Sequence, residues 1–451
     1  MRLFLGVIAA FLLISCRADA QGKILDIQEF KTPQGLNVWL NEDHTLPIIA
    51  LKFIFLDSGT ALDPEDRQGL VRLLYNTMDE GAGDLDSQSF QKQLSDRAIT
   101  LLFSASRDGF GGDLKTLSRH KTEAFDLLRL ALTDPRFDAE AVERMRQGNM
   151  TRIRSSLGKP DWIAARILND RAFEGHPYAM NSGGTLTSLP EITRKDLMDF
   201  KNTWLTKDRL LVSVVGDIDR EELGPVLDSI FSALPKTAPA KTIPDFAVQN
   251  AGPPALYKKD VPQTVMNMML PAFGREDPDY YALKVMNYIF GGAGFGSRLM
   301  ESAREKRGLT YGIYSDIENY RHLDSLSIST STKNESVGEM LALISEEMQN
   351  MKDRPVQDGE LKDAKSYLTG SLPLSLASTD KIATVMLSLQ IENLPADYLD
   401  HYAAKINAVT AEDIQRTARR VLIPENMTSV LVGQPENIDP VIPVTDIPNA
   451  E

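Results

Sequence analysis

The sequence predicts an α+β protein of two homologous halves, each a mixed or antiparallel sheet covered by helices. Three observations predict it. The first is an internal repeat, the mark of a duplicated unit. Residues 51–59 (LKFIFLDSG), followed by Asp63-Pro64 and an apolar helical run through Leu70, Leu73 and Leu74, are answered by residues 266–274 (MNMMLPAFG), followed by Asp277-Pro278 and a run through Leu283, Met286 and Ile289. The halves also end alike, LLVSVVG over 210–216 and SVLVG over 429–433. The second observation is that both hydrophobic periods occur in each half. The third is that strand-like runs come first and helix-like runs follow in blocks, which is not strict βαβ alternation.

In chain order, the short apolar runs 51–56, 99–105, 210–215, 265–270 and 325–331 read as strands. The longer runs 68–78, 121–132, 138–156, 337–351, 358–374, 381–391 and 411–421 carry helical spacing. The last starts well: Thr410 suits the N-cap, and Glu412 sits near the positive end of the helix dipole. Residues 234–247 hold prolines at 235, 239 and 244, which forbid a regular helix, so they read as a linker. The expected layout is a targeting segment over 1–20, an N-terminal peptidase-sized unit over 21–233, the linker 234–247, a C-terminal unit over 248–433, and a polar, Pro-rich, loose tail over 434–451.

Composition narrows the function. At 451 residues with 42% hydrophobic and 25% charged, the chain is an ordinary globular sequence able to bury a large core. The net charge of −14, without a basic block, argues against nucleic acid, because phosphate neutralisation needs clustered Lys and Arg. With Cys16 as the single cysteine, no intramolecular disulfide and no cysteine-based zinc site can form. The five histidines, His44, His120, His176, His322 and His401, include no pair within one helical turn.

Residues 3–14, almost all apolar and preceded by Arg2, are too short to span a bilayer and read as the hydrophobic part of an export signal. Two exits are open. Ala18-Asp19-Ala20 is a small-x-small cleavage site; Leu13-Ile14-Ser15-Cys16 fits a lipoprotein signal over 1–15 that would leave a lipidated Cys16. Either places the protein in a bacterial periplasm, with membrane contact only through lipid on Cys16.

Two α+β halves joined by a Pro-rich linker resemble the pitrilysin/insulinase family of inverzincin metallopeptidases, which includes mitochondrial processing peptidase. The most specific stretch is GGAGFGSRLM over 291–300, continuing ESAREKRGLTYGIYS over 301–315, which is similar to the family's second-half signature. Active members carry H-x-x-E-H on a first-half helix: two His one turn apart bind zinc and the Glu activates water. Here the matching helix reads GLVRLLYN over 69–76, so Arg72, Tyr75 and Asn76 stand where His, Glu and His belong. The third ligand, a downstream Glu, maps near Thr151 or Arg152, and neither is a carboxylate. This chain is therefore expected to bind no metal. The three helix residues read either as polar surface or as an inter-subunit contact.

The resemblance also implies a second pair, Arg304 and Tyr311, which in the family lies across a closed cavity from the zinc. Taken alone, Arg304 could be paired with Glu301 or Glu305, and Tyr311 could be a core residue at a strand start. The loop with Gly291, Gly292, Gly294 and Gly296 matches a region that captures substrate in the zinc-less processing-peptidase subunit; the plainer reading is a tight turn. The Gly-Lys-Ser/Thr ending of a P-loop is absent, which argues against a phosphate cradle. His176, in EGHPY over 174–178, reads as structural.

Together these imply a non-catalytic, substrate-binding subunit of a heterodimeric zinc peptidase acting on peptides or unfolded segments. A homologous partner chain would carry H-x-x-E-H and the zinc, and this chain would be inert alone. The alternative is an inactive structural or peptide-binding homologue with no role in catalysis.

Overall fold

The structure, a computed structural model, describes residues 23–450; residues 1–20, read as a targeting segment, and Cys16 lie outside them. The first sheet contains β1 (Gln28–Lys31), β2 (Asn37–Glu42), β3 (Ile48–Leu56), β4 (Thr100–Ala105), β5 (Gly109–Leu117) and β6 (Leu210–Gly216), in the order β1-β2-β6-β3-β5-β4. The second contains β7 (Ala255–Lys258), β8 (Gln263–Pro271), β9 (Ile313–Tyr320), β10 (Leu323–Lys333), β11 (Thr428–Gly433) and β12 (Ile442–Val444), in the order β9-β10-β8-β11-β7-β12.

The repeat is visible in the pairing. β3 lies antiparallel between β6 and β5, with Leu51 opposite Val214 and Leu114. β8 lies antiparallel between β11 and β10, with Met268 opposite Ser429 and Ile328. Both central strands read as near-continuous apolar runs because they are covered on both faces. In each sheet the outermost strand on one side, β4 or β9, has an edge that no described strand pairs.

Nine helices matter below: α1 (Leu70–Thr77), α2 (Lys121–Thr133), α3 (Ala139–Ser156), α4 (Pro160–Ala172), α5 (Tyr280–Asn287), α6 (Val337–Asp353), α7 (Asp358–Gly370), α8 (Thr379–Ile391) and α9 (Ala411–Val421). The Thr410 hydroxyl accepts from the Asp413 N–H in a capping box at the start of α9. The helix expected over 358–374 ends earlier, at Gly370, with a separate turn over Leu372–Ser375, because Pro373 has no N–H to continue the ladder.

The halves exchange helices. α4 of the first half packs on β11 and β8 of the second sheet, and α8 of the second half packs on β6 and β3 of the first. Lys52, on β3, is buried and bridges Asp113 at 2.5 Å and Asp380, at the start of α8, at 3.1 Å. Gln390 Nε2 donates to the Val212 carbonyl at 3.1 Å. Residues of each sheet thus enter the other half's core: Val265 and Val430 join the first, Trp39 and Val215 the second. The β9–β10 turn adds a further clasp, with the Arg321 N–H on Asp108 at 3.1 Å and its side chain on Asp57 at 2.7 Å.

Residues 234–247 form neither helix nor strand but are held, with Ile243 buried, the Lys207 N–H on the Pro235 carbonyl and the Phe246 N–H on the His322 carbonyl. The tail differs from expectation. Instead of lying loose, it forms β12 parallel to β7, then crosses to the first half, where Ala450 is buried and its carbonyl accepts from the Leu186 N–H. Its prolines allow an edge strand, where missing N–H groups need no partner.

Candidate functional site

The helix that carries the zinc motif in active relatives is α1. It begins at Gly69, whose φ of 88° a side chain would disfavour. Its first N–H groups are met by the buried carboxyl of Asp63, which accepts from Gly69 at 2.8 Å and from Val71 at 3.0 Å. Burial pushes that carboxyl up to about 7. Leu70, Val71, Leu73, Leu74 and Thr77 face the core, leaving Arg72, Tyr75 and Asn76 on the partly exposed face.

Asn76 Nδ2 donates to Asn149 Oδ1 at 3.1 Å across α1 and α3. This corrects the expected position of the third ligand: Thr151 and Arg152 point to solvent, and buried Asn149 faces α1. The Arg72 guanidinium lies 5.9 Å from the centre of the Tyr75 ring, and its Nε is buried without a hydrogen-bond partner. Zinc takes imidazole, thiolate or carboxylate. Arg72 cannot lose its proton and carboxamides are poor ligands, so these residues do not fit a zinc ion. Among the described residues, no group of three or more His, Cys, Asp or Glu is gathered around a potential metal position.

The second face of interest follows α5. A wide π turn over Tyr288–Gly292 leads into a tight turn over Gly294–Gly296, and a second π turn over Glu301–Lys306 carries Arg304. Such turns are rare and are frequent at functional sites. Arg304 is about a third exposed, and its guanidinium stacks 4.5 Å above the ring of Phe295, itself 68% exposed. Its approach to Glu305 is 3.7 Å, outside hydrogen-bond reach, and Glu301 bridges Lys306 instead. Tyr311, two residues before the free-edged β9, is 82% exposed. The core reading of Tyr311 does not hold, whereas Arg304 keeps a long ion pair with its neighbour Glu305.

The four glycines differ. A Cβ on Gly291 would sit 2.4 Å from Ser315 Oγ and 2.8 Å from the Ser315 backbone N, so that glycine lets the loop lie against β9. Gly294 has φ +57°, whereas Gly296 has ordinary φ and only a distant neighbour. Asn287 locks the same contact, accepting from Ser315 Oγ at 2.6 Å and donating to the Ser315 carbonyl at 3.2 Å. Behind the loop lies a cavity of about 520 Å³ lined by Arg275, Lys284, Tyr288, Gly292 and Asp316. Burial holds the Lys284 amine down at about 8.

Sequence reasoning missed Asn149, Phe295 and Lys284. Asn149 could have been found: it lies seven positions after buried Val142 and four before buried Ile153, on the inward stripe of α3. His176 is structural, as expected. Its Nδ1 accepts from the Tyr178 N–H at 3.2 Å, its Nε2 meets the Pro244 carbonyl at 3.0 Å, and its ring stacks on Phe246.

Two six-stranded sheets with exchanged helices, and α1 facing α3 through Asn76 and Asn149, are the arrangement that the resemblance to the inverzincin peptidases implies. Residues 191–368 match the family described as peptidase M16 inactive domain. The chain is 28% identical over 355 residues to "Non-peptidase homolog YmxG" of Helicobacter pylori, covering 77% of this chain and 79% of that one. It is 21% identical over 431 residues to "Probable mitochondrial-processing peptidase subunit beta" of Arabidopsis thaliana, covering 92% and 78%. The crystal structure of a peptidase M16 inactive domain from Pseudomonas fluorescens superposes with a TM-score of 0.84 at 27% identity, covering 92% of this chain and all of that one. The chain is thus similar in sequence and fold to the M16 peptidase family, the pitrilysin/insulinase-like group, and to members of it described as inactive or non-peptidase.

Proposed function

We propose that this chain is the substrate-binding, non-catalytic subunit of a two-chain zinc peptidase. The zinc and the H-x-x-E-H helix would belong to a homologous partner, and the zinc would supply the activated water there. The observation that carries this reading is the asymmetry between the two faces. The metal ligands are replaced, while Tyr311 and Phe295 stand exposed and Arg304, stacked on Phe295 and in only a long ion pair with Glu305, lies beside an unpaired strand edge. An extended peptide can pair its main chain with such an edge. Arg304 then holds a peptide carbonyl through charge-assisted N–H bonds. The Tyr311 hydroxyl donates to the oxyanion that develops at the scissile carbonyl. The expected substrates are peptides or unfolded segments, and the site of action is the periplasm, with residues 1–20 removed or Cys16 lipidated.

The test is purification of the tagged chain from its own cell envelope. A similar-sized chain bearing H-x-x-E-H should accompany it near one to one. In that complex, Tyr311→Phe should lower kcat on the order of a hundredfold to a thousandfold with KM little changed. Recovery of the chain alone or as a homodimer, without a zinc-motif partner, sinks this reading in favour of an inactive structural or peptide-binding protein.

A further inference from the structure

The residues at the degenerate metal face are not merely unable to bind zinc; they share one chemistry. Arg72 and Arg152 bring two positive charges to the same face, and neither has an ion-pair partner among the described residues. Two carboxylates close in sequence are engaged elsewhere, Glu80, just past α1, with Arg144, and Glu143, on α3, with Arg146. Burial, reinforced by the like charge of Arg152 and opposed by Tyr75, holds Arg72 below the usual guanidinium range. It cannot neutralise itself by losing its proton.

The two buried side-chain atoms that lack partners here, Arg72 Nε and Asn149 Nδ2, are both N–H donors. Asn149 spends its oxygen on Asn76, which leaves its amide N–H groups for something else. Buried donors without acceptors are rare in native proteins and call for an explanation. The face stays open to solvent, since Arg72, Tyr75 and Asn76 are partly exposed and Arg152 is exposed. It also adjoins β4, on which α1 packs and whose outer edge is unpaired, with Leu102 56% exposed. An extended chain added to that edge would run past the donors.

We propose that Arg72, Asn149 and Arg152, with Tyr75 and Asn76 at the rim, form an oxyanion cradle that takes a carboxylate of a bound peptide chain, at the place where metal-bearing relatives hold zinc. The cation that a relative carries as a metal is here carried by guanidinium groups. The ligand changes accordingly from a water and a carbonyl to an anionic oxygen pair, which Arg can meet through two parallel N–H bonds. This inference does not depend on a zinc-bearing partner and stands or falls separately from that reading.

The test uses the purified mature chain, with its partner if one accompanies it, and two fluorescein-labelled peptides that differ only by Glu or Gln at one central position. Fluorescence anisotropy should show the Glu peptide binding about tenfold more tightly, as expected for a charge-assisted pair replacing a neutral one. Inorganic phosphate should compete with the Glu peptide. In Arg72→Met the preference should vanish. Asn149→Asp provides a second variant: it fills the cradle with the chain's own carboxylate, so the preference should vanish while Tm rises. Equal binding of the two peptides by the unaltered chain would overturn the proposal, as would a preference that survives both variants. A rise in Tm with phosphate but no Glu preference would assign the cradle to a free anion and overturn the peptide assignment.

Discussion

The side-chain bond from Asn76 Nδ2 to Asn149 Oδ1, 3.1 Å long, fixes the register of α1 against α3. Asn76, which stands where the resemblance puts the second His, thus keeps a side-chain contact with α3, where the resemblance puts the third ligand. The face is degenerate in composition but not in geometry.

That geometry can be tested by restoring the ligands. Arg72→His, Tyr75→Glu, Asn76→His and Asn149→Glu together place two imidazoles one helical turn apart and a carboxylate opposite them, a three-ligand zinc set. The quadruple variant should retain about one zinc per chain after dialysis, measured by elemental mass spectrometry. Replacing Asn149→Glu by Thr151→Glu should abolish retention, because residue 151 faces solvent. Retention in the Thr151 version, or in neither, would show that the register is not the one described.

Asp63 gives a pH signature. Its carboxyl is buried at the start of α1, with a folded value of about 7 against an ordinary 3.8. Below pH 4 both folded and unfolded chains hold this proton. Between pH 4 and 7 the unfolded chain loses it first, so this group's contribution to stability falls as pH rises, by up to about 4 kcal/mol, and levels off above 7. In Asp63→Asn the slope from this group should disappear in denaturant titrations across that window. Asp63→Ala should be worse, leaving the N–H groups of Gly69 and Val71 unmet and costing roughly 2–4 kcal/mol. A pH dependence identical in Asp63→Asn and the unaltered chain refutes the assignment.

The glycine loop separates packing from substrate capture. Gly291→Ala forces a Cβ to 2.4 Å from Ser315 Oγ and should cost roughly 1–3 kcal/mol. Gly294→Ala should cost about 1 kcal/mol through its positive φ. Gly296→Ala meets only the Ala293 Cβ at 3.8 Å and should leave Tm unchanged within a degree or so. Any effect of that last variant on peptide binding would therefore belong to the loop's function. A large fall in Tm for Gly296→Ala contradicts the geometry.

What the sequence disclosed followed the range of the interactions. β3, β6 and α9 carry their period or cap within a dozen residues, and the structure places them where the pattern does. β5 was hidden, because glycines interrupt its apolar pattern; a Cβ on Gly112 would lie 2.5 Å from the Phe53 ring that fills the space. The exchange of α4 and α8 depends on contacts between elements far apart in the chain and leaves no local mark. At the site, the identities of Arg72, Tyr75, Asn76, Arg304 and Tyr311 were legible through their motifs. Asn149 needed the helical register of α3, and Phe295 beneath Arg304 needed three dimensions.

The tail is the clearest case of a long-range interaction that composition misread, and it yields a further prediction. β12 pairs with β7 of the second sheet, and beyond it Asn449 binds the first half: its Oδ1 accepts from Gln68 Nε2 at 3.0 Å and its carbonyl from Asn181 Nδ2 at 2.9 Å. Gln68 directly precedes the glycine that opens α1, so the chain's end braces the degenerate helix. Asn449→Ala removes two side-chain bonds, the one accepted from the buried Gln68 amide and a long one donated to the Ala179 carbonyl at 3.4 Å, and should cost about 1–2 kcal/mol. Deleting 441–451 removes the β12 pairing as well and exposes the Gln68 pocket, so it should cost roughly 3 kcal/mol. Amide exchange gives the sharper reading. Deletion should raise exchange at both β7 and the α1 start, which are joined through this segment. If only the second sheet loosened, the tail would not be bracing α1.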